Sequence, residues 1–491
     1  AAESYAETTV GGTIDVRGRL RQNRDLNDDS TAGGTGTEPY WEQKVNLWVD
    51  AKIAEGLKGY VELQSYQDCT PSNKGWIKWG TSGSDNQGTT TVTTDDRRCA
   101  SYAPNQVFYS NQSIGNLAIR YAYIDFMIPG IPVGIKAGHM PVVLGHSIWA
   151  NTGIWGSDAF MIYAVPIKEL SIVLGTVKGN EVSEDSQDVD LYALAVNYTF
   201  MPKNTVGFNA SYIKRTSDNA GAPSDYWDNI AGNASTTATD NPNTTGNPFR
   251  DLNGVKVWNI MLTVDGALDF GLGYKFEVDK QFGKLDAKDP GTTTAGEVDL
   301  KGTGLAFLLG VDYKIADIAK VGMDAAYGSG DKCANWGTAP ATGRRCTDSG
   351  NKFEGYFNFN DYAYTMIYED IVGQKRATGT AGTAGRISST DFGLYNTMYA
   401  KVGAGVTPIK DMSIDLNLFY LRAVKENYYG QKKNLGWEAD LIFGYNIYKN
   451  LKWTFMAGYM LPGNHYDEIS ASDTVKGDNA WALEQKLSLK F

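Results

Sequence analysis

The chain has 491 residues, 42% of them hydrophobic and 21% charged, with a formal net charge of −11. The acidic balance and the lack of any basic run argue against a nucleic-acid partner. No stretch approaches the ~18 consecutive apolar residues of a membrane helix, so a membrane crossing would have to be made by a closed barrel, the other structure that satisfies every backbone group in lipid.

In chain order, Ala1-Ala2-Glu3-Ser4 has neither a basic n-region nor an apolar h-region. It reads as the remainder of a secretory signal cut at a small-residue site, hence as an exported chain. Alternation with period two starts at once. Val10, Gly12, Ile14, Val16, Gly18 and Leu20 share one face; Thr9, Thr13, Asp15, Arg17, Arg19 and Arg21 share the other. The next segment sets Trp41, Val45, Leu47, Val49, Ala51 and Ile53 against Glu42, Lys44, Asn46, Asp50 and Lys52. Segments of this kind run for about ten to fifteen residues, longer than a soluble strand and long enough to cross a bilayer at a tilt. Leu268, Phe270, Leu272, Tyr274, Phe276, Val278 and Phe282 form one apolar face with aromatics near both ends, opposite Lys275, Glu277, Asp279 and Gln281. That is a lipid-facing side with interfacial girdles and a water-facing side. Residues 437–447 repeat the pattern, as do Leu451, Trp453, Phe455, Ala457 and Tyr459.

The connections alternate too. Short turns are predicted at 54–57, 129–132, 201–204, 315–319, 407–411 and 448–450, and long polar segments at 69–115, 217–252, 283–298, 329–388 and 462–478. Short periplasmic turns and long external loops are the barrel rule, and the sum is about eighteen strands, or sixteen if the two near 157–178 are not real. The expected fold is therefore all-β: a single closed transmembrane antiparallel β-barrel over residues 1–491 with both ends periplasmic.

The last segment places Trp481, Leu483, Leu487, Leu489 and Phe491 against Glu484, Lys486, Ser488 and Lys490. A final strand ending in Phe resembles the C-terminal signal of bacterial outer-membrane proteins. The stretch 120–140, RYAYIDFMIPGIPVGIKAGHM, resembles a hairpin of large Gram-negative porins. It is similar to those of the alginate-export and specific-porin groups and of the major porins of delta-proteobacteria such as Geobacter. Many relatives end this hairpin Gly-Arg-Gln where this chain has Gly138-His139-Met140, so a basic pore residue at that position does not carry over. The resemblance implies passive transport through a barrel narrowed by inward-folded loops, in the bacterial outer membrane, among its lipid and lipopolysaccharide.

Several residues are candidates for the pore. Arg17, Arg19 and Arg21 stack along the first strand at a spacing near 7 Å, with Arg120 and Lys136 on the later hairpin. Such a ladder would favour anions, unless Asp15, Glu42, Asp50 and Glu62 neutralise it as ion pairs. The segment 141–158, PVVLGHSIWANTGIWGSD, is a loop by position yet carries Trp149, Ile154 and Trp155. Apolar side chains of that size need burial, so it is expected to fold inward as a constriction that includes His146, Trp149, Asn151, Trp155 and Asp158, with an outer subunit contact as the alternative. His146-Ser147 makes a poor nucleophile pair, because neighbours on a strand point to opposite faces; His465 near Asp467 is a weaker protease candidate still. Acidic runs at 25–29 and 181–188 lack EF-hand spacing and default to solvated surface.

Four cysteines in an exported chain point to disulfides, and shared loops favour Cys69–Cys99 and Cys333–Cys346. No zinc spacing exists, and neither metal nor cofactor is expected. The functional expectation is a porin for small hydrophilic solutes, not an enzyme, assembled as a homotrimer. The rivals are the barrel sheath of a porin–cytochrome conduit and a surface scaffold or adhesin.

Overall fold

The computed structural model describes residues 7–23, 37–66, 75–79, 116–154, 156–180, 189–216, 252–288, 297–330, 352–356, 358–360, 364–371, 379–380, 383–384, 393–425, 432–466, 468–469, 474–475 and 477–491. Its wall has 18 strands. They are β1 (Glu7–Gln22), β2 (Glu38–Ala54), β3 (Leu57–Tyr66), β4 (Asn116–Met127), β5 (Val133–Met140), β6 (Ser157–Ile167), β7 (Leu170–Asn180), β8 (Val189–Met201) and β9 (Asn204–Thr216). The second half comprises β10 (Leu252–Ala267), β11 (Leu272–Lys288), β12 (Leu305–Ile315), β13 (Ala319–Gly328), β14 (Thr397–Val406), β15 (Met412–Ala423), β16 (Asn434–Tyr448), β17 (Leu451–Pro462) and β18 (Ala480–Lys490).

Each strand pairs antiparallel with the next, and β18 pairs back onto β1 from Thr13↔Lys490 to Gln22↔Trp481. The seam is completed by Gly12 and Phe491, which exchange backbone hydrogen bonds of 2.9 and 3.1 Å. Closure leaves no wall edge unpaired, the condition for standing in lipid. The alternation fixes which face is which. Leu416, Leu418, Leu441 and Leu487 point out and are exposed. Aromatics collect at both rims, with Phe200, Tyr313 and Tyr448 towards the short turns and Trp41, Trp258 and Trp437 towards the long connections. This is an outer-membrane β-barrel, with its short turns and the ends of β1 and β18 on the periplasmic side.

Three details differ from the sequence reading. Both strands in the doubtful stretch exist, as β6 and β7, joined through Lys168 and Glu169 alone. Leu268 and Phe270, read as part of a strand, instead form the turn before β11, where the Leu268 N–H bonds the Leu272 carbonyl at 2.7 Å. Phe270 is 63% exposed at the periplasmic rim, so an interfacial aromatic imitated strand alternation. Finally, β11 continues to Lys288, past the expected start of a loop at 283, and a further strand, Glu297–Gly302, pairs with its end.

The buried apolar cluster lies inside the barrel. The inward faces of β6 to β9 include Ala159, Met161, Val173, Val177, Val189, Leu191, Ala193, Ala195 and Ile213. An apolar wall facing water would be unfavourable. Met140, Val142, Leu144, Ile148 and Trp149 cover it.

Candidate functional site: the barrel lumen

The expected arginine ladder is built, but it is paired. The Arg17 Nε donates to Glu42, and Arg19 Nε donates to Glu484 Oε2 at 2.6 Å. Both arginines are largely buried, with side chains 13% and 11% exposed. The Arg17 guanidinium also lies 3.6 Å from the centroid of the Trp76 ring, and that of Arg21 lies 4.9 Å from Tyr40. Asp15 stands opposite Lys44 in the register, and Asp50 Oδ2 is 3.7 Å from Lys58 Nζ. Lys136 Nζ sits 4.1 Å from the Tyr123 ring centroid. Glu484, which the sequence reading left out of the site, is the second carboxylate of the arginine pair.

Arg120 reaches the lumen through a β-bulge. Glu62 faces Tyr121 while Leu63 faces Ile119, so Arg120 is the extra residue on β4. Its guanidinium donates to Glu62 Oε1 at 2.7 Å and to the carbonyl of Ile154 at 3.0 Å, and also to that of Gly153. It therefore holds one end of the segment 141–156.

That segment crosses the lumen as a strap. At its far end His146 meets β10 and β11: Nδ1 lies 2.8 Å from Glu277 Oε2, and Nε2 contacts Asp265. Trp149 is fully buried and donates its indole N–H to Ser211 Oγ on β9 at 2.8 Å. Asn151 Oδ1 accepts the Gly153 N–H at 2.9 Å, a local turn contact. Trp155 lies outside the described residues. Asp158 is a correction: it sits on the outward face of β6, 2.7 Å from His139 Nδ1, and is no part of the inward segment. Both ring nitrogens of His146 face carboxylates rather than Ser147.

A second inward segment, within the long polar connection 329–388, meets the strap. Phe359–Asn360 pairs in parallel with Ala150–Asn151, and the buried Tyr356 ring lies 6.4 Å from that of Trp149. A π-helical turn at Met366–Ile371 is tied to the wall by β16. Glu438 accepts the N–H groups of Ile367 and Tyr368, at 2.5 and 2.9 Å, and Asp440 accepts that of Met366 at 3.2 Å. Buried carboxylates are tolerated when backbone donors face them. The usable signal was two acids, Glu438 and Asp440, on the inward face of an otherwise regular strand.

The periplasmic half of the lumen carries cross-strand ion pairs. Lys275 lies 3.3 Å from Asp324, and Lys320 lies 2.9 Å from Asp415. Lysine stems lie over inward glycines: a Cβ on Gly310 would meet Lys275 Cε at 2.4 Å, on Gly405 Lys320 Cε at 2.6 Å, and on Gly444 Lys452 Cε at 3.1 Å.

Burial alone would lower the pKa of the His146 imidazole, but the hydrogen bonds and charges of Glu277 and Asp265 outweigh it and hold the ring above its ordinary value. For a raised group, the anchoring is complete below the ordinary value of about 6.5 and is lost as pH rises through the raised one. Open-channel noise should therefore grow as pH rises above about 6.5 in the native chain and stay flat in His146→Gln. Identical pH profiles in bilayer recordings would show that this contact does not hold the strap.

His465 is buried, with Nδ1 2.8 Å from the Lys432 carbonyl; Asp467 lies outside the described residues. So do all four cysteines (Cys69, Cys99, Cys333 and Cys346) and the acidic runs 25–29 and 181–188. Among the described residues no group of three or more His, Cys, Asp or Glu is placed to hold a metal ion.

No protein-family model matches the chain, and no curated protein sequence does. Solved structures match over nearly the whole length. Pseudomonas aeruginosa OccK8 (OprE) is 10% identical with a TM-score of 0.52, covering 99% of this chain and 98% of its own. OccK2 (OpdF) of the same organism is 9% identical with a TM-score of 0.51, covering 99% and 98%. Pseudomonas aeruginosa OpdK, solved with vanillate, is 9% identical with a TM-score of 0.50, covering 98% of each chain. At this identity the likeness is one of fold, the closed outer-membrane barrel. The resemblance of the 120–140 hairpin to alginate-export and delta-proteobacterial porins remains a reading of the sequence.

Proposed function

We propose that the chain is a porin, a passive channel for small hydrophilic solutes. The observation that carries this reading is the solvated lumen. Lys320, Asp265 and Lys275 point inward, yet their side chains are 63%, 49% and 39% exposed. A barrel of sixteen to eighteen strands leaves an aqueous channel unless it is plugged. A lumen partly occupied by the chain's own strap leaves less room for a protein occupant, which favours a solute channel over a cytochrome sheath.

The narrow level is read as weakly anion-favouring. On the inward faces of the neighbouring strands Arg17, Arg19, Lys44, Arg120 and Lys486 stand against Asp15, Glu42, Glu62 and Glu484, an excess of one cation. The constriction is assigned to the strap through His146, Trp149 and Asn151. Assembly as a homotrimer is the accompanying inference, because closed symmetry is the usual state of oligomers. Single-channel recording in a planar bilayer tests the whole: discrete conductance steps are expected, and a purified folded barrel that never conducts overturns the porin.

A further inference from the structure

The outer wall carries a feature that solute passage does not use. Lys214 on β9 stands directly opposite Lys256 on β10, Lys256 opposite Lys284 on β11, and Lys284 opposite Lys301 of Glu297–Gly302. All are exposed. The buried neighbours Val255 and Val257 and the exposed Trp258 place Lys256, and with it the row, on the lipid side of the wall. Like charges directly opposite one another in a sheet are unfavourable, and here they recur across three consecutive pairings. Among the described residues no carboxylate pairs with Lys214, Lys256 or Lys301.

The height of the row is as regular as its composition. Two residues nearer the membrane on the same strands, Tyr212 faces Trp258 and Trp258 faces Phe282. The Tyr212 and Trp258 rings lie 4.9 Å apart. The lysines thus stand about 7 Å above an aromatic girdle, at the end of the barrel away from the short turns. Adjacent strands are about 4.8 Å apart, so the four lysines span roughly 14 Å along the rim. That is wide enough to meet two phosphates carried at the ends of one disaccharide.

We propose that this row is a binding site for the phosphorylated glycolipid of the outer leaflet, the lipid A of lipopolysaccharide. The lysines take its phosphates, and its acyl chains lie against Tyr212, Trp258 and Phe282 and the aliphatic wall below them. The ligand relieves the repulsion along the row, and the row replaces the cations that such phosphates otherwise recruit. The inference rests on the outer-membrane placement and not on what crosses the lumen.

The test titrates the full-length chain, purified in mild detergent, with bisphosphorylated lipid A, its dephosphorylated form and phosphatidylglycerol, and reads adducts by native mass spectrometry. The bisphosphorylated form should bind best. Removing its phosphates, or substituting Lys214→Gln, Lys256→Gln, Lys284→Gln and Lys301→Gln together, should weaken binding at least tenfold, since each lysine near an anionic surface contributes roughly a fivefold factor. The matching four-fold Lys→Arg variant should retain binding. A heat-modifiable band on an unboiled gel and an unchanged single-channel conductance show that the barrel is intact. If the Gln variant does not fold, the Arg variant and the dephosphorylated lipid still decide. Equal binding by native chain and Gln variant, or phosphatidylglycerol bound as tightly as lipid A, overturns the site. Recovery of the native chain outside the outer-membrane fraction removes the placement and the site together.

Discussion

Replacing Arg17 and Arg19 together by Ala is expected to swing the channel towards cations. The two guanidiniums neutralise Glu42 and Glu484 on the neighbouring strands, with Arg19 held to Glu484 at 2.6 Å. Their loss leaves both carboxylates at the lumen without those partners. A change of about 1 kcal/mol in the potential felt by a passing monovalent ion alters the cation-to-anion permeability ratio about fivefold. The reversal potential under a potassium chloride gradient reads that ratio directly. Glu42→Gln with Glu484→Gln should move it the opposite way, towards anions. If neither pair of substitutions moves the reversal potential, the arginine wall is structural only and selectivity is set elsewhere.

Trp149→Ala should release the strap without unfolding the barrel. The indole is fully buried, bonded to Ser211 and packed near Tyr356. Truncating a buried Trp typically costs about 3–5 kcal/mol. Because the wall is held by its own continuous ladder, that loss should fall on the strap and on the 352–371 segment that meets it. The expected result is a larger and noisier open-channel current, with heat-modifiable migration on gels unchanged. A variant with native conductance would show that the strap does not limit the channel, and a variant that loses the folded band would show that the strap and wall fold as one unit.

Much of the wall is legible from residues alone. Alternation in β1, β2, β16, β17 and β18 names the inward and outward residues correctly, because one side meets lipid and the other water along the whole strand. The signal fails where that contrast fails. At 268–271 the turn is itself apolar, so Phe270 extended the pattern past the strand. Around β6 and β7 the inward face is apolar too, since the strap covers it, and the two-sided contrast that marks a strand is weak. Arg120 shows a third failure: a bulge inserts one residue into the period, and no composition signal announces it. The inward fold of 141–156 could be argued from Trp149, which needs burial, whereas its anchors Asp265 and Glu277, and the Glu438 and Asp440 that hold Met366–Ile371, are ordinary lumen acids until the fold brings loops to them. Partnerships between residues far apart in the chain, such as Arg19 with Glu484, follow from closure of the seam and from nothing local.

The lysines that lie over glycines in the periplasmic half carry one more consequence. Each lays its stem over a wall position that has no side chain. A single methyl group at Gly310 or Gly405 would meet both the lysine stem and the carboxylate of Asp324 or Asp415 that it pairs with, and would push the ion pair off the wall towards the axis. The same positions therefore set both the free diameter and the distance of the fixed charges from a passing ion. Size exclusion and charge selection in this half of the channel are mechanically linked, and an adjustment of one carries the other with it.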